Sequence, residues 1–205
     1  MRIACIVYGR LNKSSEHHDN IVSTLGDHEI DFFCSSDNSS EPLLNDFIRL
    51  YKPISYNNNT VQYTGDLTKY PGKRGETNLH SMRCHFINKN RVFSLLEEHI
   101  NHTNMEYDCV VSMRIDCVFQ NKFDFTTLQD NTIYIPYGFD FVDKGLNDQI
   151  AYGKIDVMRK YNSINPLELL DKCLSIPHPE SLNYANIHYW KLKIERPMIH
   201  YYIDR

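Results

Sequence analysis

The 205 residues include 22 Lys and Arg against 26 Asp and Glu, for a net charge of -4, with 41% hydrophobic and 12% aromatic content. That length suits one domain with a sizeable core, and the charge balance excludes the broad basic field on which nucleic-acid binding relies. No stretch approaches the roughly 20 apolar residues of a membrane span, and the first apolar run is too short for a signal peptide, so a cytoplasmic location is expected.

The first half of the chain alternates. Residues 3–8 (IACIVY) are continuously apolar, as in a central parallel strand covered on both faces. Ser14 and Ser15 are placed to cap a helix reaching Leu25, with Gly26 to end it. Residues 30–34 read as a second strand. Glu41 and Pro42 open a second helix whose Leu43, Leu44, Phe47 and Leu50 share one side. Residues 52–56 read as a third strand, and this β-α-β-α-β order predicts a Rossmann-like sheet.

Residues 57–76 are polar, carry Gly65, Gly72 and Gly75, and include Lys69, Lys73 and Arg74; a loop of that length suits a lid over a ligand. Leu79, Met82, Phe86, Phe93, Leu96 and Ile100 then recur at helical spacing and predict the longest helix. A buried strand over 108–113 runs straight into Arg114, Ile115 and Asp116. Short strands follow near 117–119 and 132–135, then the Gly-bearing loop 137–149. Helices are expected near 155–161, 166–173 and 179–190, and a strand near the C-terminus. The fold class is α/β, a Rossmann-like mixed sheet flanked by helices in a single domain.

Cys5, Cys34, Cys84, Cys109, Cys117 and Cys173 are widely spaced, without a CxxC pair, and read as reduced thiols rather than a zinc or redox site. Asn58-Asn59-Thr60 is a glycosylation sequon with no secretion signal to give it meaning. There is no GxGxxG and no GxxxxGK[ST], which argues against a dinucleotide-dependent dehydrogenase and a phosphate-loop NTPase.

Four places carry chemistry. Arg114 and Asp116 stand at a strand exit, where open α/β sheets bind ligands; a plain salt bridge is the alternative. Asp148 lies in Asn147-Asp148-Gln149, with Asp140 and Asp143 in the same loop, and serves either as a base or as a turn-stabilising residue. Tyr8, Gly9 and Arg10 follow the first strand, where Gly9 permits close backbone approach. Arg83, with Ser81 and His85, sits near the start of the long helix, facing either a phosphate or solvent. His17 and His18 read as a solvated helix face, and Glu180 as an acid placed by the dipole of its helix.

The apolar first strand ending in Gly9-Arg10, the helix pattern N-L-x-S-M-R at 78–83, the R-x-D exit at 114–116 and the N-D-Q-x-A-Y-G run at 147–153 together resemble the small GT-A glycosyltransferases. The likeness is closest to the glycosyltransferase domain encoded by chlorella viruses and spans nearly the whole chain. It implies inverting transfer of a hexosyl group, glucose-type or a deoxyhexose such as rhamnose, from a UDP-sugar to the hydroxyl of a glycan acceptor. Residues 1–116 would then form the nucleotide-binding part and 117–205 the acceptor side.

By the same resemblance, Mn or Mg is the cofactor and Asp116 its ligand, with His200 either a further metal ligand or a satisfied strand histidine. Tyr8, Gly9, Arg10, Arg83 and Arg114 would contact the nucleotide sugar, and Asp148 or its rival Asp140 would be the general base. The family's D-x-D is R-x-D here, because Arg114 stands at the first Asp. Two rivals are a sugar-nucleotide nucleotidyltransferase, whose Gly-rich basic first loop GRLNKSSEHH matches poorly, and a non-catalytic nucleotide- or carbohydrate-binding module.

Overall fold

The structure is a computed structural model that describes residues 1–61, 79–141, 145–164 and 178–204. Most of the expected lid, the helix expected at 166–173 and Asp143 lie outside these residues. The first half comprises β1 (Arg2–Tyr8), α1 (Ser14–Leu25), β2 (Glu29–Ser35), α2 (Glu41–Tyr51), β3 (Ser55–Asn57), α3 (Leu79–Thr103) and β4 (Cys109–Arg114). Then come β5 (Cys117–Phe119), β6 (Thr132–Tyr134), β7 (Ile150–Gly153), α4 (Ile155–Asn162), α5 (Pro179–Tyr189), β8 (Lys193–Glu195) and β9 (Tyr201–Ile203).

One seven-stranded sheet runs in the order β3-β2-β1-β4-β7-β6-β8, and β5 pairs with β9 in a small second sheet. β1 is parallel to both β2 and β4, while β7 is antiparallel to β4 and β6, so the sheet is mixed. Alternation along β1 divides the core. Ile3, Cys5 and Val7 pack with Ile21, Leu25, Phe47 and Tyr51 of α1 and α2. Ala4, Ile6 and Tyr8 pack on the other face with Val92, Phe93 and Leu96 of α3, Met158 and Tyr161 of α4, and Ile187 of α5. Both faces of β1 are therefore dry, which accounts for its unbroken apolar run. Among the described residues no helix is long and apolar enough to cross a membrane.

Some local expectations shift. Ser14 and Ser15 lie inside α1; Lys13, with φ 60°, occupies the cap position, and its carbonyl accepts from the N–H groups of Glu16 and His17. The helix is held by packing and not by a side-chain cap. β3 sits at Ser55–Asn57, further along than 52–56, because Lys52 adopts a left-handed conformation and ends α2 there. The segment read as the end of a loop is β7, with burial on both faces that leaves no alternation to see. β8, absent from the sequence reading, is a three-residue strand attached to β6.

Candidate active site at the carboxyl edge of the sheet

β1 and β4 run side by side with Tyr8 paired to Arg114, so both strands leave the sheet at the same edge. Ligands of open α/β sheets bind outside that edge. After β1 the chain turns at Gly9, φ 111°, where its N–H bonds the Ser35 carbonyl at 3.1 Å. A side chain at that φ would be strained. Arg10, exposed just beyond, lines an open polar cleft of about 490 Å³ with Asp37, Ser39 and Thr60, residues that follow the ends of β2 and β3.

Arg114 and Asp116 form a fork. Nε of Arg114 donates to Oδ1 of Asp116 at 2.9 Å, and an Nη donates to Oδ2 at 2.5 Å. Burial opposes the Arg114 charge, but the bonds and attraction from Asp116 outweigh it and hold the guanidinium above its ordinary range. The salt bridge considered for this strand exit is thus present, and it stands at the ligand edge.

A hard dication wants several oxygen ligands. Each oxygen of Asp116 already accepts from Arg114, a dication there would meet the guanidinium charge, and the described residues contain no group of three His, Cys, Asp or Glu able to hold a metal. As arranged, these residues do not fit a protein-built site for Mn or Mg. His200 is exposed, and its backbone is what bonds, to Asn121 and Gln120.

Asp148 is brought into the same cluster by a buried loop. Asn183 of α5 donates to the carbonyls of Leu146 and Asn147, Asn147 caps its own turn by accepting from the Gln149 N–H, and the Arg114 N–H bonds the Gln149 carbonyl at 3.0 Å. Tyr8 is buried, not open to a base, and its hydroxyl donates to the Asp148 carbonyl at 3.0 Å. With its backbone fixed this way, Asp148 is only 4% exposed.

Its carboxylate lies 3.2 Å from Nε2 of His85. Beside it, the fully buried Lys89 has no hydrogen-bond partner on Nζ among the described residues, and Nζ sits 3.4 Å above the Tyr161 ring centroid. Burial pushes Asp148 up, and the Lys89 and Arg114 charges draw it back only in part. Burial holds Lys89 well below its ordinary range against the pull of Asp148. His85 is held well below its own range by burial and then by Lys89 and Arg114, so it is neutral at neutral pH.

Glu180 joins them. It contacts His178, whose ring stacks on Phe141, and it is pushed up to about 8 by burial and then by Asp148. Asp140 is exposed, bonded to Arg196 at 2.6 Å and to the Asn147 N–H at 2.9 Å.

Two readings need correcting. Arg83 is 1% exposed on α3, so it is not a solvent-facing charge. His17 is buried too, with Nδ1 near the Ile115 carbonyl and Nε2 near Asp204, because α1 packs that face toward the end of β9; only His18 looks outward, to Asp19.

The edge therefore unites Tyr8, Arg114, Asp116 and Asp148 from the sequence reading, draws in His85 and Glu180, and adds Lys89 and Tyr161. One signal for Lys89 was in the sequence. It occupies the apolar stripe of α3 between Met82, Phe86 and Phe93, where a lysine is out of place unless buried for a purpose.

No family model matches the chain, and no curated protein matches it by sequence. Among solved structures, it is similar to the galactosyltransferase LgtC, crystallised with donor and acceptor sugar analogues. The match covers 90% of this chain and 70% of that one at 13% identity, with a TM-score of 0.53. The chain has the GT-A fold of that protein. The mixed sheet and the single domain agree with the sequence expectation.

Proposed function

We propose that this protein is a glycosyltransferase that moves a hexosyl group, glucose-type or deoxyhexose, from a UDP-sugar to a glycan hydroxyl. The observation that carries the reading is the Arg114–Asp116 fork at the carboxyl end of β4, beside the buried Asp148. The fold is that of an enzyme whose crystals held donor and acceptor sugar analogues, and the sequence resemblance to a chlorella-virus glycosyltransferase domain points the same way.

In this reading the nucleoside lies in the cleft lined by Arg10, on the 1–116 side, and the diphosphate reaches Arg114. Negative charge grows on the diphosphate as the sugar leaves. A half-buried guanidinium already aimed by Asp116 meets it without reorganisation. Asp148 takes the acceptor hydroxyl proton as the new bond forms at the anomeric carbon and the bond to the diphosphate breaks on the opposite face, which inverts the centre. Burial raises its proton affinity, as a proton-accepting role wants. Asp140, tied to Arg196, orients the loop that carries Asp148. Asp116 would hold Mn or Mg only if freed from Arg114, and the cation would then supply charge neutralisation for the leaving diphosphate.

The test is a panel of nucleotide sugars with and without a chelator, read as released nucleoside diphosphate. UDP-sugars should be used, Arg114→Met should lower kcat/KM for the donor by about 10²–10³, and the chelator should cost little. No release from any donor sinks the transferase reading. Complete loss with chelator, against a mild Arg114→Met effect, returns the charge-stabilising role to a metal at Asp116.

A further inference from the structure

Beyond β6 the chain makes a turn that presents two aromatic rings to solvent. Tyr137 is 60% and Phe139 45% exposed, although large aromatic residues ordinarily avoid such exposure. Gly138 and Phe139 both have positive φ, at 95° and 53°. That conformation is rare for a bulky residue, and observed strain of this kind collects at ligand-binding segments.

The rings are fixed. The Arg196 guanidinium lies 4.8 Å from the Tyr137 ring centroid, backing one face, while it bonds Pro136 O at 3.0 Å and Asp140 at 2.6 Å. The Phe139 ring leans on Tyr201, at 5.1 Å and 35°. The Tyr201 hydroxyl donates to Gln149 Oε1 at 3.0 Å and accepts from Asn147 at 2.6 Å. A chain of contacts thus runs from the exposed rings to the residues flanking Asp148.

We infer that Tyr137 and Phe139 are the platform for the acceptor saccharide, with Asp140 and Arg196 meeting its hydroxyl edge; this rests on the transferase reading of the same site. A pyranose has an apolar face of C–H groups and a rim of hydroxyls. Fixed aromatic faces bury the first, and a carboxylate and a guanidinium at their border bond the second. A protein partner would want a broader apolar surface than two rings interrupted by an ion pair.

The experiment is saturation-transfer NMR on the full chain with methyl β-D-glucopyranoside, methyl α-L-rhamnopyranoside and lactose, alongside calorimetry with UDP. Saturation should reach the C–H protons of at least one saccharide. Tyr137→Ala with Phe139→Ala should weaken that binding about tenfold, the loss of two ring contacts, while UDP affinity stays unchanged. Both side chains are exposed, so the double variant should melt as the parent does. Transfer from none of the three saccharides, or transfer that survives the double substitution, overturns the inference. Saccharide binding that depends on the two rings, in a protein that binds no UDP or UDP-sugar, sinks the transferase reading and leaves the saccharide platform standing.

Discussion

The two edges of the central sheet treat charge in opposite ways. At the amino edge Arg2 meets Asp31 at 3.0 Å and Glu29 at 3.8 Å, the Tyr107 hydroxyl donates to Asp31 at 2.8 Å, and the Arg2 N–H bonds Asp108. Arg2 and Glu29 lie near water and Asp31 is part-buried, so the pairing is cheap and worth little. At the carboxyl edge Lys89, His85, Asp148 and Glu180 are withdrawn from water, and Lys89 Nζ sits over the Tyr161 ring without a hydrogen-bond partner among the described residues. Burying charge with incomplete hydrogen bonding is costly, so a fold retains it where the charges have work to do. One edge closes the sheet and the other carries the proposed site.

The largest effect that can break this contrast is at Asp148. Asp148→Asn should lower kcat by about 10²–10⁴ and leave UDP affinity nearly intact, because a base acts on the acceptor only in the transition state. Initial rates and calorimetry on one preparation measure both. A full rate would pass the role to Glu180 or Asp140.

A smaller effect sharpens it through pH. Glu180 rises from an ordinary 4.5 to about 8 in the folded chain, through burial and then Asp148. Between those values the folded state binds more protons than the unfolded one, so stability falls as pH rises through that window. Glu180→Gln removes the difference, and its melting temperature should decline less from about pH 5 to about pH 8 than the parent's. Parallel curves for the two proteins would show that Glu180 is not strained by its surroundings.

The smallest effect belongs to the amino edge. Arg2→Gln should lose a little stability that added salt reduces, with no change in transfer rate, since the pair it breaks lies at the surface, part-buried and partly screened. A marked loss of rate would mean that the two edges are coupled.

What the sequence by itself determined is local and periodic. The apolar run of β1, the one-sided pattern of α2 behind Pro42, the stripe of α3 and the exit of β4 into Arg114 and Asp116 are each written within a few neighbouring residues. Arg114 and Asp116 stand two apart, so their fork was one of the two readings open from the start. β7 and β8 escaped because a short strand buried on both faces has no period, and one held by its neighbour has no propensity to show.

Only the tertiary structure decided that Asp148 is buried and Asp140 exposed, and against what. Tyr8 and Asp148 are 140 residues apart in the chain, and their contact exists because β1, β4 and β7 share one sheet edge. Likewise Glu180 looked like an ordinary first-turn acid, and became a perturbed one when α5 brought it to Asp148. Burial and the distances between charges set a carboxyl group's proton affinity, and both are properties of the folded chain that no local pattern of residues encodes.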